Sequence, residues 1–264
     1  MERITSRKNP LAVHIKKLGT SRSYRAESGE FLCDGIKLLE DAAGSRLVIP
    51  LVFTAVPIPF PISVETRVYH VDRNLVDSLS PLKNAQGLLF TCKMSAQESP
   101  KPQDLFVNGG THILLDNVQD PGNVGAIVRT ANAFDIKSVI LYGACADAYN
   151  PKTIRASMGA IFRQAIFKMD LKQLTGVRDS GVKFIGTTPD HDSGSVINVD
   201  FSNAIVAIGS EGNGLSGEII SLCHEMTTIP IAAGCESLNA AVAAGIIMWE
   251  ASASELAASD RTRS

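Results

Sequence analysis

Asn123 and Arg129 stand six residues apart in "DPGNVGAIVRTA", a neutral carboxamide and a permanent cation at the start of an apolar segment. An arginine cannot shed its charge. Set among Ile127, Val128 and Ala131, it either meets an anionic or carbonyl partner or lies on the surface with only its stem covered. A second group follows the hydrophobic run of "IVAIGSEGNGLS": Gly209, Glu211, Gly212 and Gly214. Glycines after a buried strand either let a ligand approach the backbone or make a plain turn. Their order here is GxxGxG, not the GxGxxG of dinucleotide folds, and Glu211 in the loop would repel a pyrophosphate. NAD and ATP are disfavoured, and a cationic or neutral adenosine-containing ligand is left open. The third group is "GCESLNAAVAAG", where Glu236, Ser237, Leu238 and Asn239 crowd in front of an Ala-rich helix. Asn239 or Ser237 serves as its N-cap. A cap explains one residue of the four.

The elements that must position these groups follow from hydrophobic patterning. Short apolar runs at 112–115, 138–142, 183–187, 204–209 and 226–231 alternate with helical patterns, notably 124–134, 171–177 and 240–250. Strands and helices in alternation, with continuously apolar strands, predict an α/β fold with a mostly parallel sheet covered on both faces. Ligands of such sheets gather beyond the C-terminal strand ends, where all three groups fall. Pro121–Gly122 reads as a turn and Asn123 as the N-cap of the helix behind it. Residues 1–94 read as a separate small α/β domain, 95–104 ("SAQESPKPQD") as a linker, and 105–264 as the second domain.

Composition narrows the classes. The net charge of −2 hides a basic start, in which residues 1–25 hold seven Lys and Arg against one acid. Such a segment attracts phosphates or is a solvated helix face, and charge alone does not choose. Five cysteines, odd in number and never in a CxxC, fit reduced thiols of a cytoplasmic protein and no zinc ribbon. No metal is expected, and neither a signal peptide nor a membrane span is read from the chain.

Together the three groups resemble the SpoU (TrmH-type) branch of the SPOUT RNA methyltransferases. Asn123 with Arg129, then Gly209, Glu211, Gly212 and Gly214, then Ile229, Pro230, Ser237, Leu238 and Asn239 match its three motifs in order and spacing. "IRASMGAIFR" (154–163) is similar to the family's small-residue helix and following strand. Residues 1–94 are similar to the L30e-like substrate-binding domain of many members, with Asp34 where Glu is more usual.

The resemblance implies methyl transfer from S-adenosylmethionine to a ribose 2'-hydroxyl, in ribosomal RNA rather than tRNA because the L30e-like domain is present. A tRNA enzyme or a non-catalytic RNA-binding relative is the alternative. It also implies a deep trefoil knot and a homodimer. Arg129, oriented by Asn123, would act with Glu211, Ser237 and Asn239 at the reacting hydroxyl. Ile208, Gly209, Gly214, Ile229 and Leu238 would hold the cofactor, with Thr188 and Pro189 lining the same pocket. Arg7, Lys8, Arg22 and Arg25 would meet RNA.

Overall fold

The computed structural model describes residues 2–45, 47–94, 109–190, 193–232 and 234–261, with side chains in the final helix described as far as residue 253. The linker expected at 95–104 lies outside the described residues. The chain divides into two compact units, which are described separately.

The first unit carries β1 (Glu2–Ile4), α1 (Pro10–Thr20), α2 (Arg22–Ser28), β2 (Glu30–Asp34), α3 (Ile36–Ala43), β3 (Leu51–Thr54), β4 (Arg67–Val71), α4 (Arg73–Leu79) and β5 (Leu88–Lys93). Its mixed sheet has the order β1-β4-β3-β5-β2. β1 and β3 run parallel to β4, whereas β5 is antiparallel to β2 and β3. Asn9 caps α1 by accepting the Leu11 N–H at 2.9 Å, with Pro10 in the first helical position. The apolar stripe Ala12, Ile15 and Leu18 then buries against Leu32, Leu51, Phe53 and Leu89 of the sheet. β3 is short, because Pro50 before it has no N–H to give a ladder and Pro57 follows close behind.

The second unit begins with β6 (Thr111–Asp116), α5 (Pro121–Ala133) and β7 (Ser138–Tyr142). The chain next makes α6 (Pro151–Ser157) and a 3-10 turn at Ala160–Phe162. It resumes with β8 (Ile166–Lys168), α7 (Leu171–Asp179), β9 (Lys183–Thr187), β10 (Gly194–Ser195), β11 (Ala204–Ile208), α8 (Gly217–Leu222), β12 (Glu225–Thr228) and α9 (Ala240–Arg261). The seven-stranded sheet is parallel throughout, in the order β10-β12-β9-β11-β6-β7-β8. β6, β7 and β11 are buried at every position, as expected of a sheet with both faces covered. The core joins Leu114, Ile140, Phe184, Ile205 and Ala207 of the strands to Leu174, Ile219 and Leu222 of the helices.

Residues 147–163, placed by patterning in the second domain, pack in the first unit instead. Phe31 of β2 lies 4.8 Å from the Tyr149 ring and 6.4 Å from the Phe162 ring, centroid to centroid. The contiguous division into 1–94 and 105–264 therefore differs from the observed units. The cause is apolar: Ile154, Ala160 and Ile161 bury in the first unit rather than on the parallel sheet.

Candidate active site

Three parallel neighbours, β12, β9 and β11, end side by side, and the polypeptide beyond each end builds one cavity of about 470 Å³. Thr187, Thr188 and Pro189 follow β9. Ile208, Gly209 and the loop to Gly214 follow β11, and Thr227, Ile229, Ile231 and Glu236–Leu238 come from the end of β12 and the segment before α9. Every residue assigned from sequence to the cofactor lies in this lining, namely Thr188, Pro189, Ile208, Gly209, Gly214, Ile229 and Leu238.

The loop after β11 is a small closed hairpin. Ser210 and Gly214 exchange both backbone hydrogen bonds, at 3.1 and 2.9 Å. A Cβ on Gly209 would stand 2.1 Å from the Gly214 carbonyl carbon, so only glycine fits, and Gly214 has φ +64°. These two glycines serve the loop's own closure, the turn reading of the two left open by the sequence, on a loop that also lines the cavity. Gly212 has open space where a Cβ would be and no left-handed backbone.

Beneath the loop lies a residue that pattern reading passed over. Asp116, at the end of β6, is fully buried, and its Oδ2 accepts the Ser216 N–H at 2.6 Å. Its Oδ1 accepts from Asn117 Nδ2 at 2.7 Å. Asn117 has φ +56°, and its own Oδ1 accepts the Ala144 N–H at 2.8 Å. A carboxylate held by a backbone N–H in the interior pins the glycine loop to the centre of the sheet. Tyr142 adds a second tie, its hydroxyl donating to the Glu218 carboxylate of α8. That acceptor, with burial second, pushes the phenol up to about 12. The readable signal for Asp116 was a lone acid closing an otherwise apolar strand.

The start of α5 departs from expectation in a useful way. Its cap is Asp120, whose Oδ1 accepts the Asn123 N–H at 2.8 Å, with Pro121 in the first helical position. Asn123 is thereby one residue of the first turn and its carboxamide is free for other partners. Asn123 Nδ2 donates to Glu211 Oε1, and Asn123 Oδ1 accepts from Asn239 Nδ2 at 3.1 Å. Asn239 in turn caps α9, accepting from the N–H groups of Ala241 and Val242 at 3.0 and 3.3 Å. One residue from each of the three sequence groups thus meets in a single hydrogen-bonded chain. Glu211 belongs to the cavity lining as well, as does Ser237.

Arg129 is placed otherwise. Six helical residues turn through about 240°, so it projects from a different face of α5 than Asn123. It is exposed, outside the cavity lining, with no side-chain partner among the described residues. The expectation that Asn123 orients Arg129 is corrected on this ground: the carboxamide is occupied by Glu211 and Asn239. In the first unit, Arg7, Lys8 and Arg22 are exposed. Arg25 is not. It is buried, with Nη2 and Nε at 2.6 and 3.0 Å from Asp147 Oδ2 and Nη1 donating to the Leu18 carbonyl. Its assignment to RNA contact is corrected to an internal ion pair, because the guanidinium is buried and turned to Asp147 and Leu18, out of reach of a phosphate in solvent.

The family model of the SpoU rRNA methylases matches residues 110–249 of the 264. The chain belongs to that family. It is 27% identical to the 23S rRNA (guanosine(2553)-2'-O)-methyltransferase RlmP of Bacillus subtilis, across 94% of this chain and 98% of the relative. An AdoMet-bound rRNA methyltransferase from Sinorhizobium meliloti matches with a TM-score of 0.81 at 27% identity, covering 95% of this chain and 97% of that one. The SpoU methyltransferase AviRb from Streptomyces viridochromogenes, in complex with AdoMet, matches with a TM-score of 0.79 at 25% identity, covering 94% and 99%.

The cavity suits such a cofactor. Its volume falls within the range of roughly 300–1,000 Å³ usual for small-molecule sites. Ile208, Ile229, Ile231 and Leu238 offer apolar surface, and among the described residues the ionisable side chains in the lining are two carboxylates, Glu211 and Glu236. A net cation such as S-adenosylmethionine is matched to that charge, whereas a nucleotide phosphate would be repelled. Among the described residues no group of three or more His, Cys, Asp or Glu side chains is arranged to hold a metal, and no helix is long and apolar enough to cross a membrane.

Proposed function

We propose that the protein is an S-adenosylmethionine-dependent RNA methyltransferase that methylates a ribose 2'-hydroxyl of ribosomal RNA. The observation that carries this reading is the chain Glu211–Asn123–Asn239, set on a cavity whose charged walls, among the described residues, are acidic. Bound S-adenosylmethionine supplies an electrophilic methyl group on a sulfonium. The residues of the chain supply position, charge and the exclusion of water. Held geometry alone removes several kcal/mol from such a displacement. Ser237, in the cavity wall, offers a hydroxyl to the incoming ribose. Arg129 remains protonated, so its role is to stabilise the oxygen as negative charge develops there, with a phosphate of the RNA as proton acceptor. Its exposure leaves it open to RNA arriving from solvent.

The first unit is read as the L30e-like RNA-binding domain, meeting RNA through Arg7, Lys8 and Arg22. Their exposure supports this. We carry the homodimer and the knotted path as parts of the same reading. Val242 and Trp249 of α9 are 52% and 59% exposed, apolar surface that a second copy would cover. Five free cysteines fit the cytoplasm.

The deciding experiment is transfer of labelled methyl from S-adenosylmethionine to unmodified ribosomal RNA and to particles at several stages of assembly, followed by nucleoside analysis. Label in a 2'-O-methylnucleoside, lost in Arg129→Ala, is expected. Label in tRNA would keep the chemistry and overturn the substrate. Folded protein that binds no cofactor would overturn the enzyme.

A further inference from the structure

Glu211 and Glu236 differ in what they are free to do. Glu211 accepts from Asn123, whereas Glu236 is exposed in the segment before α9, lines the cavity and has no hydrogen-bond or ion-pair partner among the described residues. We propose that Glu236 is a specificity-determining residue that makes the cavity prefer the cationic methyl donor to the demethylated product. This rests on the methyltransferase reading above.

Donor and product share the adenine, the ribose and the amino-acid chain. They differ by one methyl group and by the positive charge on sulfur. Apolar walls such as Ile208, Ile229 and Leu238 carry no charge with which to tell the two molecules apart, so they would hold both alike. The feature that separates them is charge, and the ionisable groups in the lining, Glu211 and Glu236 among the described residues, are both negative. Methyl transfer moves the C–S bonding pair onto sulfur and leaves a neutral thioether, so the attraction of the wall for its occupant falls when the reaction is complete. Both carboxylates keep their charge, but Glu211 is fixed in the hydrogen-bonded chain with Asn123, whereas Glu236 has no partner among the described residues and is free to turn toward the occupant of the cavity. At an exposed site, with charges several ångströms apart in a dielectric near that of water, the Coulomb term changes affinity by about three- to tenfold. That field is also screened by salt.

The test is calorimetric titration of the full chain with three ligands: S-adenosylmethionine, S-adenosylhomocysteine, and sinefungin, which carries an ammonium group in place of the sulfonium. Wild type is compared with Glu236→Gln and Glu236→Asp, with folding checked by circular dichroism. In Glu236→Gln the donor-to-product affinity ratio is expected to fall by about three- to tenfold, with product binding held within about twofold, sinefungin following the donor, and Glu236→Asp keeping most of the preference. Raising salt from about 0.05 to about 0.5 M should compress the ratio in wild type and much less in Glu236→Gln. Equal weakening of all three ligands would overturn the proposal and make Glu236 a shape contact. An unchanged ratio would overturn it too. If folded wild type binds none of the three, the methyltransferase reading fails and takes this inference with it, an outcome distinct from the other two.

Discussion

Asn239 uses its two amide atoms in opposite directions: Oδ1 closes the first turn of α9, and Nδ2 reaches 3.1 Å to Asn123 Oδ1 on α5. The cap and the active-site chain are therefore separable by chemistry. Asn239→Asp keeps an acceptor at the helix start but cannot donate to Asn123. It is expected to hold stability within about 0.5 kcal/mol and to lower methyl transfer by about ten- to a hundredfold. Asn239→Ala should lose both, with about 1 kcal/mol of stability gone. Urea unfolding beside single-turnover methylation distinguishes them.

Arg129 is exposed, so its removal should leave folding alone. Arg129→Ala is expected to change stability by less than about 0.5 kcal/mol and to lower kcat by about a hundredfold or more, with cofactor affinity little changed. Steady-state kinetics together with a cofactor titration checks this.

Asp116 holds the glycine loop from below. Asp116→Ala strands the Ser216 N–H in the interior and is expected to cost about 2–3 kcal/mol, and cofactor affinity should drop as the loop loosens. Gly209→Ala drives a Cβ into the Gly214 backbone and should weaken cofactor binding still more. Thermal unfolding with and without S-adenosylmethionine reads both effects.

Arg25 and its basic neighbours should separate cleanly. Arg25→Met leaves the partly buried Asp147 carboxylate unpaired and is expected to cost about 3 kcal/mol. The variants Arg7→Ala, Lys8→Ala and Arg22→Ala should leave stability unchanged, and each that touches a phosphate lowers the salt dependence of RNA affinity by about one unit of slope. Binding isotherms at several salt concentrations settle which do.

Glu30 predicts an acid limb. Burial works to raise its carboxyl, but hydrogen bonds from His14 and Lys93 and the Lys93 charge outweigh it, leaving a pKa of about 2 against 4.5. A pKa depressed in the folded state adds stability that is complete above about 4.5 and is lost as pH falls toward about 2. Glu30→Gln should flatten the stability profile across that window in urea titrations at stepped pH.

The strands β7 and β9 were legible to the residue, because short apolar runs between turn signals leave little choice of boundary. The cavity was legible too, since its lining falls at strand ends and the glycine spacing marks one of them. What patterning missed is what depends on chain contacts far apart in sequence. Asp120 and Asn123 are both competent caps, and only the packing of Asn123 against Glu211 and Asn239 decides which one serves. Arg25 reads as one more surface cation until Asp147, 122 residues away, closes on it. α2 and α4, seven residues each, are too short for a helical period to stand out.

The excursion of residues 147–163 into the first unit sets an order on synthesis. A ribosome that has released residues 1–94 has delivered the mixed sheet but not Tyr149, Ile154 or Phe162, which pack there, nor the Asp147 that neutralises Arg25. The N-terminal unit must therefore wait, with a buried cation unanswered, until β6, α5 and β7 of the other unit have already left the exit tunnel. Nascent chains arrested before and after residue 163 has emerged from the tunnel should differ sharply in protease resistance of the first unit, although residues 1–94 are the same in both.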